Sequence, residues 1–101
     1  MFDKYEKSNE LELELQALGF KRHEATNELV FVHKVYGDIH FTDNGYRLNF
    51  ISISSGNFTV FYYAPIPNEN IYNEVLNYAK LICCNIENLK DHNGESWDVI
   101  A

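Results

Sequence analysis

The chain has 101 residues, of which 46% are hydrophobic and 15% aromatic, and this composition excludes an intrinsically disordered protein. Eight basic against 15 acidic residues leave a net charge of −7. That charge argues against a protein that binds nucleic acid or an anionic membrane directly. The length supports one modest hydrophobic core, so we expect a single domain over residues 1–101.

Several features bear on the cellular compartment. No apolar run approaches the roughly 20 residues that a membrane-spanning helix needs. The segment from Met1 to Lys7 lacks the apolar core of a secretory signal. The two cysteines, Cys83 and Cys84, are adjacent and provide no disulfide framework. The sequence therefore predicts a cytoplasmic protein.

The first predicted element is an amphipathic helix. Leu11, Leu15 and Leu18 recur at helical spacing, although the leucines of this stretch also alternate as a strand would. Asn9 begins a capping-box pattern, and Gly19 stands where a left-handed residue ends a helix. We therefore expect a helix that begins after Asn9 and ends at Gly19.

Four antiparallel strands are predicted after this helix, because turn residues separate short runs of β-branched and aromatic residues. The turns are Gly37-Asp38, Asn44-Gly45 and the segment 54–57, and prolines at 65 and 67 end the run. The expected strands are Leu29–Tyr36, Ile39–Thr42, Tyr46–Ile53 and Phe58–Tyr63.

Counting across two-residue turns predicts the register of these strands. Tyr36 would pair with Ile39, and Phe41 with Leu48. One face of the sheet would then carry Val30, Val32, Ile39, Phe41, Leu48 and Phe50. The opposite face would carry His33, Val35, His40, Thr42, Arg47 and Asn49.

A second amphipathic helix is predicted from a cap at Asn68 to about Leu89. Its apolar stripe contains Ile71, Val75, Tyr78, Ile82, Ile86 and Leu89, and Cys83 widens it. Leu81 and Cys84 would lie on the side away from the core. After the helix, Trp97, Val99 and Ile100 are too apolar for a free tail, so we expect them to pack on the domain.

The order of these elements predicts an α+β fold. A four-stranded antiparallel meander would have an N-terminal and a C-terminal helix packed on one face, in the order α-β-β-β-β-α. Such a two-layer sandwich leaves the other face of the sheet open.

The open face is one candidate site. It would gather His33, His40, Thr42, Arg47 and Asn49, which could hold an anion or change charge between pH 5 and 8. The alternative is an ordinary solvated sheet face. An enzyme would also need a pocket, which a flat sheet face rarely supplies. We therefore expect no catalytic activity, and keep a small-ligand binder or enzyme as the alternative function.

Metal and thiol chemistry have little support in the sequence. The histidines and cysteines show none of the spacings that typical metal sites use, and no cofactor motif is present. Cys83 belongs to the apolar stripe, and few cations lie near Cys84 to lower the pKa of its thiol. We predict no metal, no cofactor and no catalytic residue.

The negative charge is concentrated at the two ends of the chain. Residues 1–30 carry a net charge of −3 and residues 67–101 carry −4, whereas residues 31–66 are neutral. Two acidic helices side by side suit a basic protein surface, such as one that binds nucleic acid. The candidate partner-binding residues are Glu6, Glu10, Glu12, Glu14, Glu74, Leu81 and Glu87.

These observations predict a small acidic protein-binding module. Its size and charge suit an inhibitor or immunity-type protein, of the kind that phages and mobile elements encode. The alternative to an acidic interaction surface is a helix face kept soluble by its charge. A structural homo-oligomer, joined through the open face or an edge strand, is a further alternative.

Overall fold

The described part of the chain is an antiparallel sheet of five strands with two helices packed on one face. The structure, a computed structural model, describes residues 3–54, 57–66 and 70–89. The elements are α1 (Lys4–Leu18), β1 (Lys21–Arg22), β2 (Leu29–His33), β3 (Gly37–Asp43), β4 (Arg47–Ser54), β5 (Asn57–Pro65) and α2 (Asn70–Cys83). The strands lie in the order β1-β2-β3-β4-β5, and each pairs antiparallel with the next. The predicted α+β arrangement is confirmed, with five strands rather than four.

Helix α1 begins six residues earlier than predicted. Its cap is Asp3, whose Oδ1 accepts hydrogen bonds from the backbone amides of Tyr5 and Glu6 at 3.0 and 3.1 Å. A carboxylate in this position satisfies amides that have no partner within the helix. The assignment of the cap to Asn9 was therefore wrong, and Asn9 lies inside the helix.

The predicted end of α1 is confirmed. Gly19 adopts a left-handed conformation with φ +118°, and the amide of Phe20 donates to the carbonyl of Leu15 at 3.0 Å. This is the hydrogen bond of a Schellman motif. It directs the chain back beneath the helix, where Phe20 is buried in the core.

The first hairpin differs most from the prediction. Phe31 pairs with Ile39 and His33 with Gly37, so the turn consists of residues 34–36 rather than Gly37-Asp38. The observed register differs from the predicted one by an odd number of residues. Side chains of β2 that were predicted on one face of the sheet therefore lie on the other. Val32 is consequently 70% exposed, whereas His33 is only 2% exposed. The predictions that Val32 lies in the core and His33 on the open face were both wrong.

The second hairpin keeps the predicted faces despite a changed turn. Phe41 pairs with Phe50 rather than Leu48, a shift of two residues that reverses nothing. The turn is closed by Asn44, whose Oδ1 accepts from the amides of Tyr46 and Arg47 at 2.9 and 2.8 Å. The four side chains predicted beneath the helices here are all buried: Ile39, Phe41, Leu48 and Phe50.

Strand β5 contains a β-bulge. Phe50 pairs with Tyr62, but the next residue of β4, Ile51, pairs with Val60, so Phe61 is an additional residue on β5. The Phe61 side chain is fully buried. The hydroxyl of Tyr78, on α2, lies 3.2 Å from the carbonyl oxygen of Phe61.

Helix α2 ends earlier than predicted. It stops at Cys83, and Asn85 then adopts a left-handed conformation with φ +57°. The amide of Asn85 donates to the carbonyl of Ile82 at 2.9 Å. The predicted cap Asn68 and the tail residues from His92 to Ala101 lie outside the described residues.

One hydrophobic cluster joins both helices to the sheet. Tyr78 occupies its centre, because its ring stacks on Tyr62 at 4.7 Å and lies 5.9 Å from the ring of Phe50. Desolvation in the core raises the pKa of the Tyr78 hydroxyl, with smaller contributions from Tyr36 and Tyr62. No helix within the described ranges has the length and apolar character that crossing a membrane requires.

Candidate binding groove between the helices

A groove of about 420 Å³ lies between α1 and α2. Its α1 wall comes from one helix face, because Lys7, Glu10, Leu11 and Glu14 follow the i, i+3, i+4, i+7 spacing. Its α2 wall comes from Asn70, Tyr72, Asn73 and Leu76. The floor is apolar, since Leu11 and Tyr72 are buried and Leu76 is partly buried. The rim is polar and carries two carboxylates, one ammonium group and two amides.

The two carboxylates of the groove are accessible. Glu10 pairs with Lys7 at 3.5 Å, but both side chains are exposed to water, so this ion pair is weak. Glu14 is exposed and has no ion pair with any residue in the described ranges. The groove therefore presents two carboxylates, two amides and the ammonium group of Lys7 above an apolar floor.

The other acidic candidates do not join this groove. Glu12 faces the opposite side of α1, where it forms an ion pair with Arg22 of β1. Glu6 and Glu74 are exposed on α1 and α2 without lining the groove. Glu87 follows the end of α2, where its carbonyl accepts a hydrogen bond from the hydroxyl of Tyr36. The structure thus brings together Glu10 and Glu14 and separates the remaining four.

Leu81 does not lie on an outward-facing surface. Its side chain is partly buried and packs against the hydrophobic core. The prediction that it faces away from the core was wrong, because the stripe of α2 is wider than the sequence spacing indicated. Residues that the sequence did not single out contribute instead: Lys7, Asn70 and Asn73.

His33 does not belong to the patch that was predicted on the open sheet face. His33 lies on the face beneath the helices, and its Nδ1 accepts hydrogen bonds from the amides of Val35 at 2.9 Å and Tyr36 at 3.2 Å. The proton of the neutral ring is therefore on Nε2. Nε2 is buried near the backbone of Ile86, but it makes no well-formed hydrogen bond to a described residue.

The environment of His33 lowers the pKa of its imidazole below 6.5. Desolvation by burial is the main cause, and the backbone of Ile86 acts in the opposite direction. Protonation at Nδ1 would also convert an acceptor of two hydrogen bonds into a donor. His33 is a structural residue of the turn between β2 and β3.

The remaining members of the patch do lie on the outer face of the sheet, by which we mean the face away from the helices. His40 contacts Glu28 through Nδ1 at 3.1 Å, and the ring of His23 lies 5.9 Å from the His40 ring. The sequence did not place His23 or Glu28 in this patch, because they lie before β2 and approach His40 only through pairing of the strands.

Two further polar contacts continue along this face. The amide nitrogen of Asn49 donates to the hydroxyl of Thr42 at 3.1 Å, and the guanidinium of Arg47 lies 5.3 Å from the ring centre of Tyr63. Thr42 and Glu28 also line a second cavity, of about 340 Å³, together with Glu12 and Arg22. His40, Arg47 and Asn49 line neither this cavity nor the groove between the helices.

The cysteines match the predicted arrangement. Cys83 is partly buried, and burial raises the pKa of its thiol to about 11, with a smaller contribution from Cys84. Cys84 is exposed. Within the described part of the chain, no three histidine, cysteine or acidic side chains are grouped so that they could hold a metal ion.

Comparisons with protein-family models, with curated proteins and with solved structures find no match to this chain.

Proposed function

We propose that this chain is a protein-binding module whose helix groove binds a basic segment of a partner protein. The observation that carries the proposal is the placement of Glu10 and Glu14 on the rim of the groove, opposite Asn70 and Asn73. A net charge of −7 supports it, because the field of the whole protein attracts a basic partner.

The groove suits a lysine or arginine side chain. The buried floor of Leu11 and Tyr72 can pack against the aliphatic stem, while the carboxylates bind the charged end. The side-chain oxygens of Asn70 and Asn73 can accept further hydrogen bonds. A bound cation would replace Lys7 beside Glu10, at little cost because that ion pair is exposed.

The finer form of the proposal is an inhibitor or immunity-type protein in the cytoplasm. Such a protein occupies the basic surface with which its partner binds nucleic acid or another polyanion. The sequence favours this form because its acidic charge lies at the two helical ends of the chain, around a neutral sheet. That the chain is not an enzyme stays a prediction.

The test uses a fluorescein-labelled oligo-arginine peptide and measures its binding by anisotropy at low salt. The double variant Glu10→Gln, Glu14→Gln should bind about tenfold more weakly, because it loses two weak charge pairs. The matched control is Glu24→Gln, Asp38→Asn, which removes the same charge at exposed positions outside the groove.

The control variant should bind nearly as well as the unaltered chain. Equal losses in the two variants would mean that only net charge matters, and the groove would not be the binding site. The same two variants, used as baits in affinity capture from the native host, should retain different proteins. The specific partner is the one that the control retains and the groove variant loses.

A further inference from the structure

The charged side chains of the groove follow a definite order along α1. Lys7, Glu10 and Glu14 line the same wall, so the order along the helix is positive, negative, negative. At a rise of about 1.5 Å per residue, they are spaced about 4.5 and 6 Å apart along the helix axis. The lining residues of α2 are uncharged, and the amides of Asn70 and Asn73 can either donate or accept hydrogen bonds. The α1 wall therefore gives the groove a positive end and a negative end.

The ammonium group of Lys7 has one counter-charge. It lies 3.5 Å from a carboxylate oxygen of Glu10, and no other acidic side chain of the described residues pairs with it. A partner's cation that takes the place of Lys7 beside Glu10 therefore leaves this ammonium unpaired. The other carboxylate of the groove, Glu14, lies about 10 Å further along α1 than Lys7. A carboxylate of the partner at the positive end would restore a charge pair, whereas a second cation there would be repelled.

We propose that the segment bound in the groove has one acidic residue at its end and two basic residues, in the order acidic-x-basic-x-basic. This inference rests on the proposed function and specifies the partner of that same site. In an extended segment, alternate side chains face the same way about every 6.6 Å, so three of them span about 13 Å. The acidic side chain then reaches Lys7, and the basic ones reach Glu10 and Glu14. The flexible stems of these side chains absorb the difference of about 3 Å from the spacing on α1.

The order of charges distinguishes this partner from a uniformly basic tract. The net charge of −7 attracts a basic tract more strongly at long range, but such a tract places a cation against Lys7. At physiological ionic strength, charges further apart than about 8 Å are largely screened, whereas groups in contact still interact. We therefore expect the order of the charges, rather than their sum, to determine which segments bind in the groove.

Two capped peptides of identical composition test this order. Acetyl-Asp-Ala-Arg-Ala-Arg-amide has the proposed order, whereas acetyl-Arg-Ala-Asp-Ala-Arg-amide has its acidic residue in the middle. In neither chain direction can the second peptide bring its aspartate to Lys7 and both arginines to the glutamates. The peptides have the same net charge, so the protein attracts them equally at long range. NMR titration of the isotope-labelled protein at physiological salt should give a dissociation constant about threefold lower for the first peptide.

The variant Lys7→Gln should bind the two peptides equally, because it removes the cation of the groove. The matched control is Lys80→Gln, which removes the same charge at an exposed position of α2 outside the groove. The control should keep the threefold preference of the unaltered chain. Equal binding of the two peptides to the unaltered chain would overturn the proposal, and so would a preference that persists in Lys7→Gln.

The double variant Glu10→Gln, Glu14→Gln separates this inference from the proposed function. If it weakens binding of both peptides while the unaltered chain does not distinguish them, the groove is the binding site and only the order of charges is wrong. If both peptides bind the double variant as tightly as the unaltered chain, the groove is not the binding site and both proposals fail.

Discussion

The imidazole of His33 accepts a hydrogen bond from the backbone amide of Val35, two residues ahead, at 2.9 Å. A histidine in this position closes the turn that follows its own strand. This turn also contacts the segment that follows α2, because the amide of Lys34 donates a hydrogen bond to Oδ1 of Asn85 at 2.6 Å. One three-residue turn thus connects a buried histidine of the sheet with the residues that follow the second helix.

The first prediction concerns the pH dependence of stability. The pKa of His33 is lowered in the folded protein, so the unfolded chain binds its proton more readily. The contribution of the neutral ring is present above pH 6.5 and is lost as the pH falls below that value. The free energy of unfolding, measured by urea titration, should therefore decrease from pH 7 to pH 5.

The variant His33→Gln should show a weaker pH dependence over this range and a stability lower by about 1–3 kcal/mol at pH 7. His23→Gln provides the control, because His23 is exposed. A pH dependence that persists in His33→Gln and disappears in His23→Gln would contradict the role of His33.

The second prediction concerns Asn85, which combines a left-handed backbone with a side-chain hydrogen bond. Asn85→Ala should lower the free energy of unfolding by about 2–3 kcal/mol, because alanine adopts the left-handed conformation at a cost and cannot make the side-chain hydrogen bond. Asn85→Gly keeps the left-handed conformation accessible and removes only the hydrogen bond to Lys34. The free energy of unfolding should therefore fall by less than in Asn85→Ala. Urea titration of the two variants distinguishes the contributions, and equal losses would show that the left-handed conformation costs nothing.

The third prediction separates the two cysteines. Cys83→Ala should lower stability by about 1–3 kcal/mol, whereas Cys84→Ala should change it by less than about 0.5 kcal/mol. Ellman's reagent at pH 8 should react rapidly with Cys84 and slowly with Cys83, whose thiol has a pKa of about 11. Faster reaction at Cys83 would indicate a reactive thiol that its burial does not explain.

The fourth prediction concerns charge reversal on the helical side. Changing Glu10, Glu14, Glu74 and Glu87 together to lysine should weaken binding of a basic partner by well over about tenfold, mainly through slower association. Most of the loss should come from Glu10 and Glu14, because the other two lie outside the groove.

Stopped-flow association measured at low and high salt checks this prediction, since salt screens exposed charges. The control reverses charge on the outer face, with Arg47→Glu and His40→Glu, and should have the smaller effect. If the control abolishes binding while the four helical reversals leave it intact, the outer face is the binding site.

The sequence was sufficient for the two helices, for four of the five strands that the structure describes and for most of the core, but it did not indicate β1. Gly19 predicted the end of α1 because few other residues adopt its conformation at low cost. The second hairpin kept its predicted faces because its register shift is even. The alternation of apolar residues thus predicts which face of a strand is buried, even where the position of the turn is predicted incorrectly.

The first hairpin could not be predicted in the same way. Gly37-Asp38 is typical of a two-residue turn. The turn instead begins three residues earlier, where His33 accepts hydrogen bonds from two backbone amides. A histidine that closes its own turn has no distinctive sequence pattern. The groove could not be predicted from the sequence either, because it depends on how α1 and α2 pack against each other.

The bulge at Phe61 has a consequence for self-association. A nine-residue strand at the border of a sheet offers a template on which copies of a protein can add and grow into fibrils. Here the additional residue interrupts the regular spacing of the backbone, and the hydroxyl of Tyr78 engages the carbonyl of Phe61. The bulge divides the strand into two short pieces, so we expect β5 to be a poorer template for added copies than a regular strand of the same length.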